Sequence, residues 1–225
     1  MTDQGQPPAR RTRAPGERTR ARIAGQAAKL ATIEGLEGLS IGRLADAAGL
    51  PKSSVHALFG SKEQLQLATI GAARDSFITE VVAPALSAAE PGRQRLLALC
   101  EGYLSYVERR VFPGGCFFVA ASAEVGAQAG RVHDEVARVQ QQWRDLLAAE
   151  ARAAVGKREL PDGTDADQLA FELGVILAGT DIVAVLHDDS HAISRARTAI
   201  RTRLAGQTGP GAHSLAFQPP KAGPE

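Results

Sequence analysis

Residues 49–65, GLPKSSVHALFGSKEQL, set Lys52, Ser53, Ser54 and His56 around one apolar residue, Val55, before the chain reaches Leu58 and Phe59. An ammonium, two hydroxyls and an imidazole at neighbouring helical positions can hydrogen-bond to phosphate oxygens and to the edges of nucleobases. At helical spacing Val55, Leu58 and Phe59 gather on the other side, so the segment has one anchor face and one hydrophilic face. A helix this short cannot hold itself folded, because nucleation is costly and fewer than roughly 12 residues are marginal alone. Other helices must clamp it, and its polar side must face something.

The flanking sequence supplies those helices. Ile23, Ala27, Leu30 and Ala31 form one face of a first helix over about 17–34, with Gly35 or Gly38 as its exit. Ser40 can cap a second, short helix whose buried stripe is Ile41, Leu44, Ala45 and Ala48, closed by Gly49. Pro51 suits the first turn of the third helix, and Gly60 stops it. Ser61-Lys62-Glu63-Gln64 matches a capping box, which predicts a fourth helix running to Pro84. Helices two and three with the tight Gly49-Leu50-Pro51 turn form a helix-turn-helix, so Lys52, Ser53, Ser54 and His56 would enter the major groove of DNA. Lys62, at the positive end of helix four, would add an anion site.

Across residues 18–65 the ordered pattern resembles the DNA-binding domain of TetR-family transcriptional regulators. The residues that carry the likeness are Ala27-Ala28, Leu30, Gly35/Gly38, Leu39-Ser40-Ile41, Leu44-Ala45, Ala48-Gly49-Leu50 and Phe59-Gly60-Ser61-Lys62-Glu63-Gln64-Leu65. The resemblance places Lys52, Ser53, Ser54 and His56 at recognition-helix positions, and Ser40 and Lys62 at positions that commonly contact phosphate. Arg43 is a weaker candidate beside them. The sequence departs from the family pattern at His56, where Tyr is usual, and at Leu58, where His or Tyr is common. The arginines at 10, 11, 13, 18, 20 and 22 read as a basic arm before helix one, able to follow a minor groove or simply to solubilise the chain.

Beyond Pro91 the helices lengthen. Leu96, Cys100, Tyr103, Val107 and Val111 make one stripe, ended by FPGG at 112–115, and a short apolar helix, CFFVAASAEV, follows. The stretch FPGGCFFVAASAEVG is itself similar to one found in a subset of TetR-family ligand domains. Val132, Val136, Val139, Trp143, Leu146 and Leu147 define a long helix from near 131 to 155. A helix apolar nearly all round begins after Thr164, and a last one carries Ile193, Ala196, Ile200 and Leu204. The resemblance implies a cavity for a small-molecule effector and a homodimer built through the last two helices, about 165–187 and 190–205. Phe77, Tyr103, Tyr106, Cys116, Phe117, Phe118 and Trp143 are the candidate lining, an apolar set with a few polar handles. Any one of these aromatics, taken alone, is better explained as core.

The expected architecture is all-α: a disordered basic arm (1–16), an N-terminal three-helix DNA-binding domain (17–65), a helical ligand-binding and dimerisation domain (66–205) reached through helix four, and a disordered tail (206–225). The chain carries a net charge of +1, yet residues 1–65 hold ten Lys/Arg against six Asp/Glu, which marks that end as the polyanion surface. Two cysteines sixteen apart, without CxxC, argue against a zinc site or a disulfide scaffold and fit a reducing cytoplasm. No cofactor, metal or membrane partner is expected: the longest apolar stretch, 173–186, is interrupted by Asp181 and falls short of a span. His187, Asp188, Asp189 and His191 read as a helix junction capped by Asp189 or Ser190 rather than a metal cluster. No nucleophile–base pair, paired carboxylate or phosphate-cradling glycine loop supports catalysis. The leading expectation is a ligand-responsive repressor on a pseudo-palindromic operator, with an activator of the same fold, an all-α enzyme or carrier, and a protein-contact adaptor as the alternatives.

Overall fold

The structure, a computed structural model, describes residues 15–205, and every regular element among them is helical. The expected disorder of the arm and tail therefore falls outside the described residues, except that Pro15 and Gly16 already belong to the first helix.

Helix α1 (Pro15–Glu34) lays Ile23, Ala24, Ala27, Ala28 and Ala31 into the core. Helix α2 (Ile41–Ala48) starts where the Ser40 hydroxyl accepts the Arg43 amide N–H at 3.1 Å. Such a cap is worth about 1 kcal/mol. Gly49 closes α2 in the left-handed region (φ 63°), which a glycine adopts without a Cβ penalty and which lets the chain turn at once into α3 (Lys52–Phe59). Helix α4 (Lys62–Phe77) is capped by Ser61, whose hydroxyl accepts the Gln64 amide at 3.2 Å. These boundaries agree with the sequence reading because capping residues and glycines fix helix ends locally.

The fourth helix does not stop at Pro84. A π-helical turn, Ile78–Val82, follows α4 directly and leads into α5 (Ala83–Ala88), which carries Pro84 in its first turn. The Ala83 amide bonds to the Ile78 carbonyl, five residues back. Pro84 has no N–H to give and crowds the preceding turn, and the wider turn before it lets the helical path continue.

The body consists of α6 (Arg93–Glu108), α7 (Phe117–Val125), α8 (Arg131–Gly156), α9 (Ala166–Leu186) and α10 (Ser190–Ala205). Helix α8 packs on α4, α6, α7 and α9, and α10 packs on α6 and α9. Asp189 starts α10 by accepting the His191 amide at 2.8 Å, as its position predicts. Helix α9 runs 21 residues and its most apolar 18-residue window has a mean hydropathy of 2.0, so by length and composition it could cross a bilayer; the stretch 173–186 read as too short is its C-terminal part. It packs instead by one side against the bundle, burying Leu169, Leu173, Leu177 and Ala184.

Candidate nucleic-acid interface and ligand cavity

Helix α3 is held by its apolar side. Val55 is fully buried, Phe59 nearly so, and Leu58 packs half-buried against the same core. Lys52, Ser53, Ser54 and His56 are all exposed. Burying two side chains of this size is worth several kcal/mol, about 1.5–3 each, which is what an eight-residue helix lacks by itself. Arg20 adds a clamp: its Nε donates to the Leu58 carbonyl at 3.1 Å, and its guanidinium lies 5.2 Å from the centre of the Phe59 ring. Arg20 thus closes the C-terminal end of α3, where the helix dipole favours a cation. This corrects the reading of a basic arm in one part. Arg18, Arg20 and Arg22 lie within α1, because the helix begins at Pro15, whereas Arg10, Arg11 and Arg13 fall outside the described residues.

Beside α3, Ser40 spends its hydroxyl on the α2 cap. Arg43 forms a forked ion pair with Glu34, its Nε reaching the two carboxylate oxygens at 3.0 and 2.8 Å. Lys62 donates to Glu37 Oε2 at 3.1 Å, and this bond, with a second from Gln66, holds the Glu37 carboxyl below its usual pKa. Both predicted phosphate-binding cations are therefore already paired with carboxylates on the α1–α2 side. The Lys52 side chain extends back over Gly42 of α2, with its Nζ 3.5 Å from where a Cβ on that glycine would sit.

Besides an Arg131–Glu63 ion pair at 3.1 Å, two hydrogen-bonded contacts join this head to the body. The Glu124 carboxylate, near the end of α7, accepts the amide N–H groups of Leu36 at 2.6 Å and of Glu37 at 2.7 Å. The Gly114 amide donates to the Thr32 hydroxyl at 3.2 Å, and the approach is so close that a Cβ on Gly114 would lie 1.8 Å from the Thr32 carbonyl oxygen. Sequence reasoning missed Glu124. Its signal is that it is the one charged residue in an otherwise apolar short helix.

The body holds a partly open cavity of about 190 Å³ between α4, the π-helical turn, α6, α7, α8 and α9. Of the residues named from the sequence, Phe77, Tyr103, Cys116, Phe118 and Trp143 line it, joined by Ile78, Val82, Val119, Val139, Leu146 and Leu177. The Phe77 ring meets Trp143 edge-on at 5.1 Å, and Tyr103 stacks on Trp143 at 6.2 Å. Tyr106 and Phe117, also named as lining, do not reach it. Tyr106 is buried between Phe77 and Phe112, and Phe117 packs between Phe112 and Phe118. Helical periodicity gave the correct helices but not which side of α6 and α7 faces inward. The lining residues that carry polar groups are Arg74, Tyr103, Cys116, Gln140 and Gln142, and the Tyr103 hydroxyl itself is buried. Burial pushes the Cys116 thiol up to about 11, so it is a protonated small hydrophobe rather than a reactive thiolate.

Behind the cavity wall, Asp181 of α9 is buried and accepts the Cys116 amide N–H at 2.8 Å. Burial, opposed by that bond and by the Arg110 charge, pushes the Asp181 carboxyl up to about 6. Helix α9 also carries Phe171, Val175, Ile182 and Leu186 on one side, each more than half exposed. Among the described residues no group of three or more His, Cys, Asp or Glu side chains could hold a metal ion.

A helix-turn-helix head whose anchored short helix presents polar groups outward, carried on a helical body with an apolar cavity, defines a DNA-binding transcriptional regulator. The model of tetR-family bacterial regulatory proteins matches residues 23–69, and that of the tetracyclin repressor-like C-terminal domain matches residues 92–200. The chain belongs to the TetR family of transcriptional regulators. Among solved structures it is similar to a TetR transcriptional regulator from Chloroflexus aurantiacus J-10-fl, with 27% identity, 83% of this chain and 94% of the other covered, and a TM-score of 0.76. It shares the fold of a TetR-family regulator from Cytophaga hutchinsonii at 18% identity, with coverage of 87% and 98% and a TM-score of 0.74. It also shares the fold of AibR, solved in complex with isovaleryl coenzyme A and operator DNA, at 20% identity, with coverage of 82% and 97% and a TM-score of 0.64. The comparison with curated proteins gave no match.

Proposed function

We propose that this protein is a homodimeric, cytoplasmic repressor that leaves a pseudo-palindromic operator when a small apolar or amphipathic molecule enters the cavity. The observation that carries the reading is α3 itself: Val55 and Phe59 are sunk in the core while Lys52, Ser53, Ser54 and His56 stand exposed on one short helix. In this reading residues 17–65 form the head and 66–205 the body. Lys52, Ser53, Ser54 and His56 read base edges and adjacent phosphates, while Ser40, Arg43 and Lys62 contact phosphate. The exposed Phe171, Val175, Ile182 and Leu186 of α9, together with α10, form the two-fold interface that spaces two recognition helices about one or more DNA turns apart.

Effector binding acts by favouring a head spacing that no longer matches successive grooves. The route is short: Phe77 ends α4, whose first residue is Lys62, and Cys116, Phe118 and Val119 open α7, whose last turn carries Glu124 against the head. The resemblance to AibR, solved with both a ligand and operator DNA, supports a ligand-responsive reading. The test is a gel shift with the DNA upstream of the protein's own gene. Lys52→Ala combined with Lys62→Ala should weaken binding at least tenfold, and undiminished binding would remove the assigned face.

A further inference from the structure

Helix α9 leaves an apolar stripe uncovered. Phe171, Val175, Ile182 and Leu186 are each more than half exposed, and at helical spacing they fall on a single side of the helix. Helix α10 spends its own apolar side, from Ala192 to Leu204, inside the chain, so of the last two helices it is α9 that keeps apolar surface for a partner. The stripe is also symmetric about its middle. Phe171 stands seven residues before Ala178 and Leu186 seven after Gly179, while Val175 and Ile182 stand three before and three after the same pair.

A contact between two identical copies pairs residue i with j and j with i. A two-fold axis beside Ala178–Gly179 does this with every member of the stripe, setting Phe171 against the partner's Leu186 and Val175 against the partner's Ile182. The crossing point suits close approach, because apart from its own helix backbone and chain neighbours nothing lies within 4 Å of where a Cβ on Gly179 would sit. The same axis bears on the cavity. A more open groove runs beside it, between the end of α7, α8 and α9, and is edged by Phe171 and Val175. Gln140, Trp143, Gly174 and Ala178 line both spaces, so groove and cavity share a wall.

We propose that two copies join through an antiparallel pairing of α9 centred on Ala178–Gly179, and that each copy's Leu186 seats in the other's groove beside Phe171, so that the wall of each effector cavity is completed by the second subunit. This rests on the homodimer reading and fixes its register. Leu186 is the most exposed apolar side chain of the helix, and Phe171 is the next, so the pairing covers the two residues that most need cover.

The register is tested by paired cysteines in the full chain, whose own Cys100 and Cys116 are buried. Phe171 and Leu186 lie about 22 Å apart along one helix and Val175 and Ile182 about 10 Å, beyond the roughly 7 Å between Cα atoms that a disulfide spans, so a link within one chain is excluded. Phe171→Cys with Leu186→Cys, or Val175→Cys with Ile182→Cys, should therefore give a disulfide-linked dimer under mild oxidation, and none of the four single variants should. Trp143, the only tryptophan in the chain, reports on the shared wall. Leu186→Ala should raise acrylamide quenching of its fluorescence, and Ile33→Ala, a comparably exposed residue on α1, should not. Linked dimers from a single variant, no link from either pair in a chain that sediments as a dimer, or unchanged quenching in Leu186→Ala would overturn the proposal and leave the homodimer standing. A wild-type chain that sediments as a monomer would sink the homodimer reading itself, and the proposal with it.

Discussion

Glu124 accepts the Leu36 amide N–H at 2.6 Å across 88 residues of sequence, so the last turn of α7 ends in the connection between α1 and α2. The same carboxylate takes the Glu37 amide, and the Glu37 side chain takes Lys62 and Gln66 from α4. One carboxylate thus ties the cavity-lining helix to the head through two amides. Glu124→Ala should cost about 1–3 kcal/mol, because the Leu36 and Glu37 amides lose their acceptor. It should also reduce the release of DNA caused by effector more than it reduces DNA affinity. Thermal denaturation and DNA-binding titrations with and without ligand measure the two effects separately.

Glu37 holds the Lys62 ammonium at 3.1 Å, so if Lys62 contacts DNA as proposed, phosphate must displace that carboxylate. Glu37→Gln keeps an oxygen for hydrogen bonding and removes the charge, so DNA affinity should rise severalfold at low salt. Lys62→Ala should lower affinity and reduce the slope of log affinity against log salt by about one. Fluorescence anisotropy over a salt series checks both, and an unchanged slope in Lys62→Ala would take that lysine out of the interface.

Burial pushes the Asp181 carboxyl up to about 6, above its ordinary value of 3.8, so the folded protein binds the proton more tightly than the unfolded one. The ionised, buried carboxylate therefore costs stability above about pH 6, and the cost fades as pH falls toward 4. Asp181→Asn, which keeps an acceptor for the Cys116 amide, should stabilise the protein by roughly 1–3 kcal/mol at pH 7.5 and by much less at pH 4.5. Denaturant melts of the two proteins at both pH values test the sign. A pH-independent difference would mean that Asp181 is not the titrating group.

The apolar side of α9 gives the assembly test. Val175 and Ile182 are each more than half exposed in the single chain, so Val175→Glu with Ile182→Glu should leave the helical content intact. The variant should sediment as a monomer and lose at least tenfold in operator affinity, because two half-sites would then be bound independently. A variant that remained dimeric would relocate the interface.

The head was legible because its signals are local. Ser40, Gly49, Gly60 and Ser61 act on amides within a few residues, so spacing alone places α2, α3 and the start of α4. The body was legible in its helices and only partly in its site. Phe77 and Trp143 stood out as aromatics on stripes, but whether Tyr103 or Tyr106 faces the cavity depends on how α6 is rotated against α8, which no single helix encodes. Pro84 pointed to a helix end because proline is disfavoured inside helices, and the compensating π-helical turn has no local signature. Glu124 and Arg20 were hidden for the same reason: their partners, Leu36 and Leu58, lie far along the chain.

The composition of α9 bears on the protein while it is still being made. By length and composition alone, a 21-residue segment this apolar could enter lipid before its partner helices emerge. Asp181 interrupts its C-terminal half, and a carboxylate deep in hydrocarbon opposes insertion by up to about 2.5–3.5 kcal/mol. The group that burdens the finished fold would thus, with Asp167 and Glu172 of the same helix, oppose entry of the nascent segment into a bilayer.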